Sequence, residues 1–323
     1  MTSLEITWPE PAPNWMEAKR IWKWSWDLYV FGFSSLYILV GFLAVFSLIR
    51  QRTAYQRKKK LHALFLNVLL IVFSSTRSAI LFWNPYGFED LSITLLVVAV
   101  ILSGMATSCL TAAFSVLLLI VLDTTKISLA PPRFQKISVL VAIWLSNAVY
   151  LLISNLVVAH YNSAKVMIFV CQLVYALWGV VVAVGYAIAA LRIRKNLRSS
   201  REFSRNHNNL LKETAKMQRL VTLLLVASVE GFVTFTVFIY SASGDTGVFN
   251  DGGHVEIWPW FTLKTIISLL ELLMCAIIFL AALSSGSNER NVTVDVIPSS
   301  MRHETSQRPT NVSASDDKIE LKC

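Results

Sequence analysis

Charge is scarce in this chain. Only 15% of its 323 residues are charged, 55% are hydrophobic, and the mean hydropathy is +0.57. A soluble domain carries about 25% charge because it needs a polar shell. Without that shell, the solvent for most of the chain must be lipid. A soluble protein of this length would hold roughly two domains, but the apolar runs leave room for a single membrane bundle.

Other absences narrow the class further. Of four cysteines, Cys109, Cys171 and Cys275 lie inside apolar runs and Cys323 in the tail, so no disulfide framework is implied. The first 27 residues are polar and tryptophan-rich with no apolar h-region. The first span is therefore expected to act as its own insertion signal. Of five histidines only His62 begins a span, whereas a zinc hydrolase needs several ligands clustered at depth. There is no Gly-x-Ser-x-Gly elbow and no Cys-x-x-Cys, and Asp123 ends its span alone. The expectation is a protein that is not an enzyme, with no cofactor, no metal site and no nucleic-acid partner.

What the sequence does hold is seven long apolar runs. A helix needs about 20 apolar residues to cross a core of roughly 30 Å. The runs 28–49, 61–82, 93–122, 137–159, 166–191, 220–240 and 260–283 all qualify. The third is long enough to tilt or to continue past the bilayer. The fold class predicted is all-α, a polytopic seven-transmembrane-helix bundle.

Orientation follows from the basic residues in the short loops. Six lie in the first loop (Arg50, Arg52, Arg57, Lys58, Lys59 and Lys60), three in the third and nine in residues 192–219, including Arg192, Arg194, Lys195 and Arg198. The opposite face carries Glu89, Asp90, Lys165, Asp245, Asp251 and Glu256. The basic face is expected in the cytosol, which places the N-terminus outside and the C-terminus inside. Trp22, Trp24, Trp26, Trp83, Trp258 and Trp260 fall at the expected outer ends, where indoles favour the boundary with water.

Three segments result: an extracellular or lumenal stretch 1–27, the membrane domain 28–283, and a polar tail 284–323 expected to be disordered and cytosolic. Trp15, Trp22, Trp26 and Tyr29 share one helical stripe, which suits an interfacial helix on the outer leaflet or a disordered lead-in with incidental aromatics. The tail holds two glycosylation sequons, at Asn291 and Asn311, which are silent in the cytosol.

Charges inside spans cost at least ~2.5–3.5 kcal/mol each on insertion scales, so they are candidate functional residues. Arg77 lies roughly 24 Å along span two, Glu230 about 15 Å into span six, and Glu271 about 18 Å before the end of span seven. An extended Arg77 can meet Glu271 and, with more strain, Glu230. The three residues suit either a buried ionic site for a polar ligand or protons, or one Arg–Glu pair that fixes helix packing with the second acid protonated. Lys264, near the outer end of span seven, is expected to snorkel to the headgroups. Gly104 with Ser108, and Gly179 with Ala183 and Ala187, have the spacing of close helix seams. Spans two, three, five, six and seven contain no proline, unlike the broken helices of transporters.

The basic loops suit three roles: setting topology, holding anionic lipid headgroups at about 1 kcal/mol per residue, or docking a cytosolic protein. Arg50-Gln51-Arg52-Thr53 and Arg201-Glu202-Phe203-Ser204 have the form of basophilic kinase sites. Rhodopsin-like receptor motifs are missing. Span three ends Leu122-Asp123-Thr124-Thr125, and span six reads Phe232-Val233-Thr234-Phe235 where a proline kink would stand.

Trp22-Lys23-Trp24-Ser25-Trp26-Asp27-Leu28-Tyr29-Val30-Phe31-Gly32 resembles the lead-in to the membrane domain of the proline-rich transmembrane proteins three and four. Thr76-Arg77-Ser78-Ala79 followed by Asn84-Pro85-Tyr86-Gly87 is similar to the same family's end of span two. More distantly, the order of spans resembles the seven-span domain of orphan receptor-like integral membrane proteins and tobamovirus-multiplication proteins. The resemblance covers roughly residues 14–285, and only Pro9, Pro11 and Pro13 stand where the family has a long proline-rich ectodomain. It implies a multi-pass membrane domain with a buried arginine and an outer-face turn. The function expected is receptor-like or scaffolding, through the basic loops. The alternative is a small-solute or proton-coupled transporter using Arg77, Glu230 and Glu271.

Overall fold

The computed structural model describes residues 13–51, 57–83, 93–125, 137–161, 165–203, 208–243 and 255–286. Among the described residues all eight elements are helices: α1 (Trp15–Trp22), α2 (Trp24–Gln51), α3 (Arg57–Trp83), α4 (Ile93–Thr125), α5 (Ile137–His160), α6 (Lys165–Phe203), α7 (Asn208–Ser243) and α8 (Ile257–Gly286). Seven of them, α2 to α8, are long and apolar enough to cross a membrane, one for each run expected from the sequence.

None of α2 to α7 contains proline. In α8, Pro259 sits in the first turn, where a backbone N–H has no intrahelical acceptor anyway. The outward faces are densely apolar: Phe31, Phe42, Phe46, Leu177, Val181 and Val229 are all exposed. A soluble monomer rarely shows so large an apolar surface.

From α1 to α7 each helix packs against the next in the chain, and α4 also touches α6. The most enclosed helix is α4, with 67% of its apolar window buried against 11% for α5. The core runs from Tyr37, Phe73 and Leu117 to Tyr186, Leu224 and Ile278. The bundle therefore has a basic end, where α2 finishes at Arg50 and Gln51, and a tryptophan end, where α2 and α8 begin.

Three helix boundaries differ from the sequence reading. Residues 192–219 were expected to be a loop, but α6 continues to Phe203 and α7 already begins at Asn208. Ile193 is buried, with Leu197 and Met217 packed against the same core as Leu220. This apolar seam carries the helices past their lipid-spanning parts. Likewise Arg57 to Lys60, assigned to the first loop, form the first turn of α3.

At the tryptophan end, α1 is a separate helix. Asn14 caps it by accepting from the Glu17 N–H at 3.4 Å. It stops at Lys23, whose φ of 47° lies in the left-handed region; no other non-glycine residue among those described has positive φ. The turn lets the aromatic stripe fold onto α8. Trp22 stacks on Trp26 at 5.2 Å and on Trp260 at 5.9 Å, and Trp15 meets Trp260 edge-on at 5.3 Å. The indoles at 22 and 26 are thus buried in protein rather than spread on a leaflet. Lys264 lies over the Trp260 ring at 5.5 Å, a cation–π contact that adds to the expected reach toward the headgroups.

Candidate functional site

The three membrane-embedded charges do not gather at one point. Arg77 on α3 forms an ion pair with Glu271 on α8 through Nη2 and Oε1. The second carboxylate oxygen accepts from the Tyr37 hydroxyl at 2.7 Å, bringing in α2. Arg77 also reaches Thr107 of α4 at 3.4 Å. Four helices therefore meet at one charge-centred clasp. Nearer the tryptophan end, Tyr29 and Ser268 share a hydrogen bond of 3.0 Å, which ties α2 to α8 again.

Glu230 lies apart from the clasp. It is buried on α7, and its Oε1 accepts from Thr234 at 3.0 Å, one turn along the same helix. Its Oε2 has no hydrogen-bond partner among the described residues. Of the two partners the sequence allowed for Arg77, the structure selects Glu271.

A cleft beside the clasp is walled by α4, α6, α7 and α8. About 70 Å³ of it is open to the centres of water-sized molecules. Glu271 and Thr234 both line it, but most of the wall is apolar, including Phe114, Phe235 and Phe238.

The small residues position these helices. A Cβ at Gly104 would stand 2.4 Å from the Leu151 side chain, so α4 meets α5 there. A Cβ at Gly231 would stand 2.8 Å from the Ala183 Cβ, so Ala183 is a true seam residue between α6 and α7. Gly179 behaves otherwise. A Cβ there would meet nothing within 4 Å, because that face of α6 opens into the cleft.

Of the basic residues, Arg50, Arg192, Arg194, Lys195 and Arg198 are exposed at the basic end. Arg57, Lys58, Lys59 and Lys60 are placed on the α3 backbone only. Arg52, the turn Asn84-Pro85-Tyr86-Gly87, and the sequons at Asn291 and Asn311 lie outside the described residues.

Sequence reasoning missed Tyr37, Thr107 and Thr234. A signal existed for Thr107: Ser103, Thr107, Thr111 and Ser115 recur every four residues on α4 and bond in succession along it. Tyr37 carried none, since nothing in one dimension separates a tyrosine facing lipid from one facing a carboxylate.

Comparison with known proteins agrees with the motif resemblance. The family model for the proline-rich transmembrane protein 3 domain matches residues 2–295. No curated protein and no solved structure matches the chain. The chain is an integral multi-pass membrane protein and belongs to the proline-rich transmembrane protein 3 domain family.

Proposed function

We propose that this is a non-enzymatic, receptor-like or scaffolding membrane protein whose basic end faces the cytosol and docks partners there. One observation carries the reading: α6 and α7 run on past their apolar stretches with Arg192, Arg194, Lys195 and Arg198 exposed. Twelve residues of each helix lie beyond Leu191 and before Leu220. That is about 18 Å of helix, against a headgroup layer of roughly 6 Å on each side. Arg192, Arg194 and Lys195 therefore stand at headgroup depth, where each basic residue contributes about 1 kcal/mol toward anionic lipid. Arg198 and the tip of the hairpin project past that layer, within reach of a cytosolic protein with an acidic surface.

The test uses the full chain in lipid nanodiscs, with and without phosphatidylinositol bisphosphate. Native mass spectrometry should show retained anionic lipid that falls on reversing Arg192, Arg194 and Lys195 to Glu. Proximity labelling from the α6–α7 tip in cells should identify neighbours that are lost with Arg198→Glu. Labelling and lipid retention indifferent to both sets of charges would sink the proposal. Orientation is tested separately in microsomes, where glycosylation of Asn291 or Asn311 would place the tail in the lumen.

A transport reading keeps one specific support: the Glu230 Oε2 without a hydrogen-bond partner, near a cleft lined by Glu271. Solute or proton flux in proteoliposomes should then stop with Glu230→Gln or Glu271→Gln. Flux that survives both substitutions removes this reading.

A further inference from the structure

The cleft between α4, α6, α7 and α8 is neither closed by packing nor lined by free charge. Its one charged wall residue, Glu271, is already answered on both oxygens, by Arg77 and by Tyr37. A cationic or anionic guest would leave water for a low-dielectric wall with no unengaged counter-charge, which is costly. The wall thus selects against ions.

Its hydroxyls also have a direction. Thr111 donates to the Thr107 carbonyl at 2.9 Å, and Thr234 donates to Glu230 at 3.0 Å. Both donors are used, while hydroxyl lone pairs remain on each oxygen. Glu271 likewise has only acceptor capacity to offer. Thr107 donates to the Ser103 carbonyl at 3.3 Å, and Tyr175 shares a hydrogen bond of 2.8 Å with Ser108 in which either can donate, so acceptors outnumber donors on the polar part of the wall.

Finally, the space is set by the backbone rather than by loose side chains. Gly231 holds α7 tight on Ala183, while Gly179, one turn before Ala183 on α6, leaves its Cβ position open to the cleft. About 70 Å³ of the cleft is open to water-sized molecules, several times the space that a single water needs. We propose that this cleft binds a small, uncharged, largely apolar molecule carrying a hydrogen-bond donor, such as an aliphatic alcohol or a phenol, whose hydroxyl is accepted by Thr111, Thr234 or Glu271. The site does not depend on the basic end and stands or falls separately from the docking proposal.

The experiment uses the full chain in nanodiscs and an octanol bearing a diazirine on its chain, with labelled residues located by mass spectrometry. Labelling should saturate and concentrate on cleft residues such as Thr111, Tyr175, Phe235 and Met274. Octan-2-ol should compete, and octan-2-one, which accepts but cannot donate, should compete about fivefold more weakly, the effect of one hydrogen bond. Octylammonium should not compete. Gly179→Leu should remove cleft labelling by filling the space. Thr111→Val, which keeps the side-chain shape, should weaken the alcohol while leaving the ketone unchanged, so a misfolded leucine variant does not decide the matter. Labelling that rises linearly with concentration and marks outward residues such as Val229 and Leu269 equally would overturn the site. Equal competition by the ketone, or stronger competition by the ammonium, would overturn the proposed ligand class.

Discussion

Glu271 and Glu230 are two acids buried in the same bundle, and they are held in opposite ways. Glu271 is the centre of a clasp: Arg77, Tyr37 and, through the arginine, Thr107 draw α2, α3, α4 and α8 together. Glu230 is held by its own helix, through Thr234, and leaves one oxygen without a partner. The helices around them differ in kind as well. At Glu271, long side chains span the gap between helix axes. At Glu230, Gly231 and Ala183 bring α6 and α7 into near-backbone contact. One side is joined by charge across a distance, and the other by the absence of side chains.

The clasp should be the more expensive to break. Arg77→Met leaves the Glu271 carboxylate in place without its counter-charge, and removing one partner of a buried pair costs about 3–5 kcal/mol. In detergent, unfolding should fall by about 10 °C, taking 2–4 °C per kcal/mol for a chain of this size. The double variant Arg77→Met with Glu271→Leu should recover most of the loss, because a well-packed apolar replacement has no charge to strand. A single variant that melts with the wild type would show that α8 is held by its apolar contacts alone.

The seam comes next. In Gly231→Ala the new Cβ lies 2.8 Å from the Ala183 Cβ and 3.6 Å from its Cα. Overpacking of this kind costs typically about 1–3 kcal/mol. Adding Ala183→Gly should restore most of the stability, because the two methyl groups compete for one space. Failure of that rescue would place the strain elsewhere in α7.

A smaller effect separates the two acids directly. Glu230→Gln keeps the acceptor for Thr234 and puts amide donors where the unpartnered oxygen stands. Its effect on the melting temperature should correspond to about 1 kcal/mol or less, the scale of one neutral hydrogen bond. Glu271→Gln, which dissolves an ion pair, should exceed it. If the order is reversed, Glu230 is the residue that organises the bundle.

The seven spans were readable because each needed only a long apolar run, and all seven runs became helices. The Arg77–Glu271 pair was nearly readable, since depth along each helix follows from residue count. Depth alone could not choose between Glu271 and Glu230, because the choice depends on which way each helix is rotated. Hidden for the same reason were Tyr37 and the cleft, which is a property of four helices at once. The continuation of α6 and α7 was hidden by composition: arginines and asparagines masked the seam of Ile193, Leu197 and Met217. The tryptophan stripe was visible, but its partner was not, since Trp260 lies 234 residues past Trp26.

Gly179 gives the finest test, because the sequence grouped it with Ala183 and the structure separates them. In the same helix, one turn apart, Ala183 is fully buried against Gly231 and Gly179 faces open space. If Gly179 were a seam residue, adding a methyl group would force α6 and α7 apart and lower stability, as at Gly231. If it faces the cleft, Gly179→Ala removes only the flexibility of a helical glycine and should raise stability by about 0.5 kcal/mol. The sign of the shift decides between the two, even though its size is small. A rise, with a fall for Gly231→Ala under the same conditions, would fix the cleft on the Gly179 face of α6. A fall in both variants would mean that α7 covers the whole stripe and that the cleft is narrower than its walls suggest.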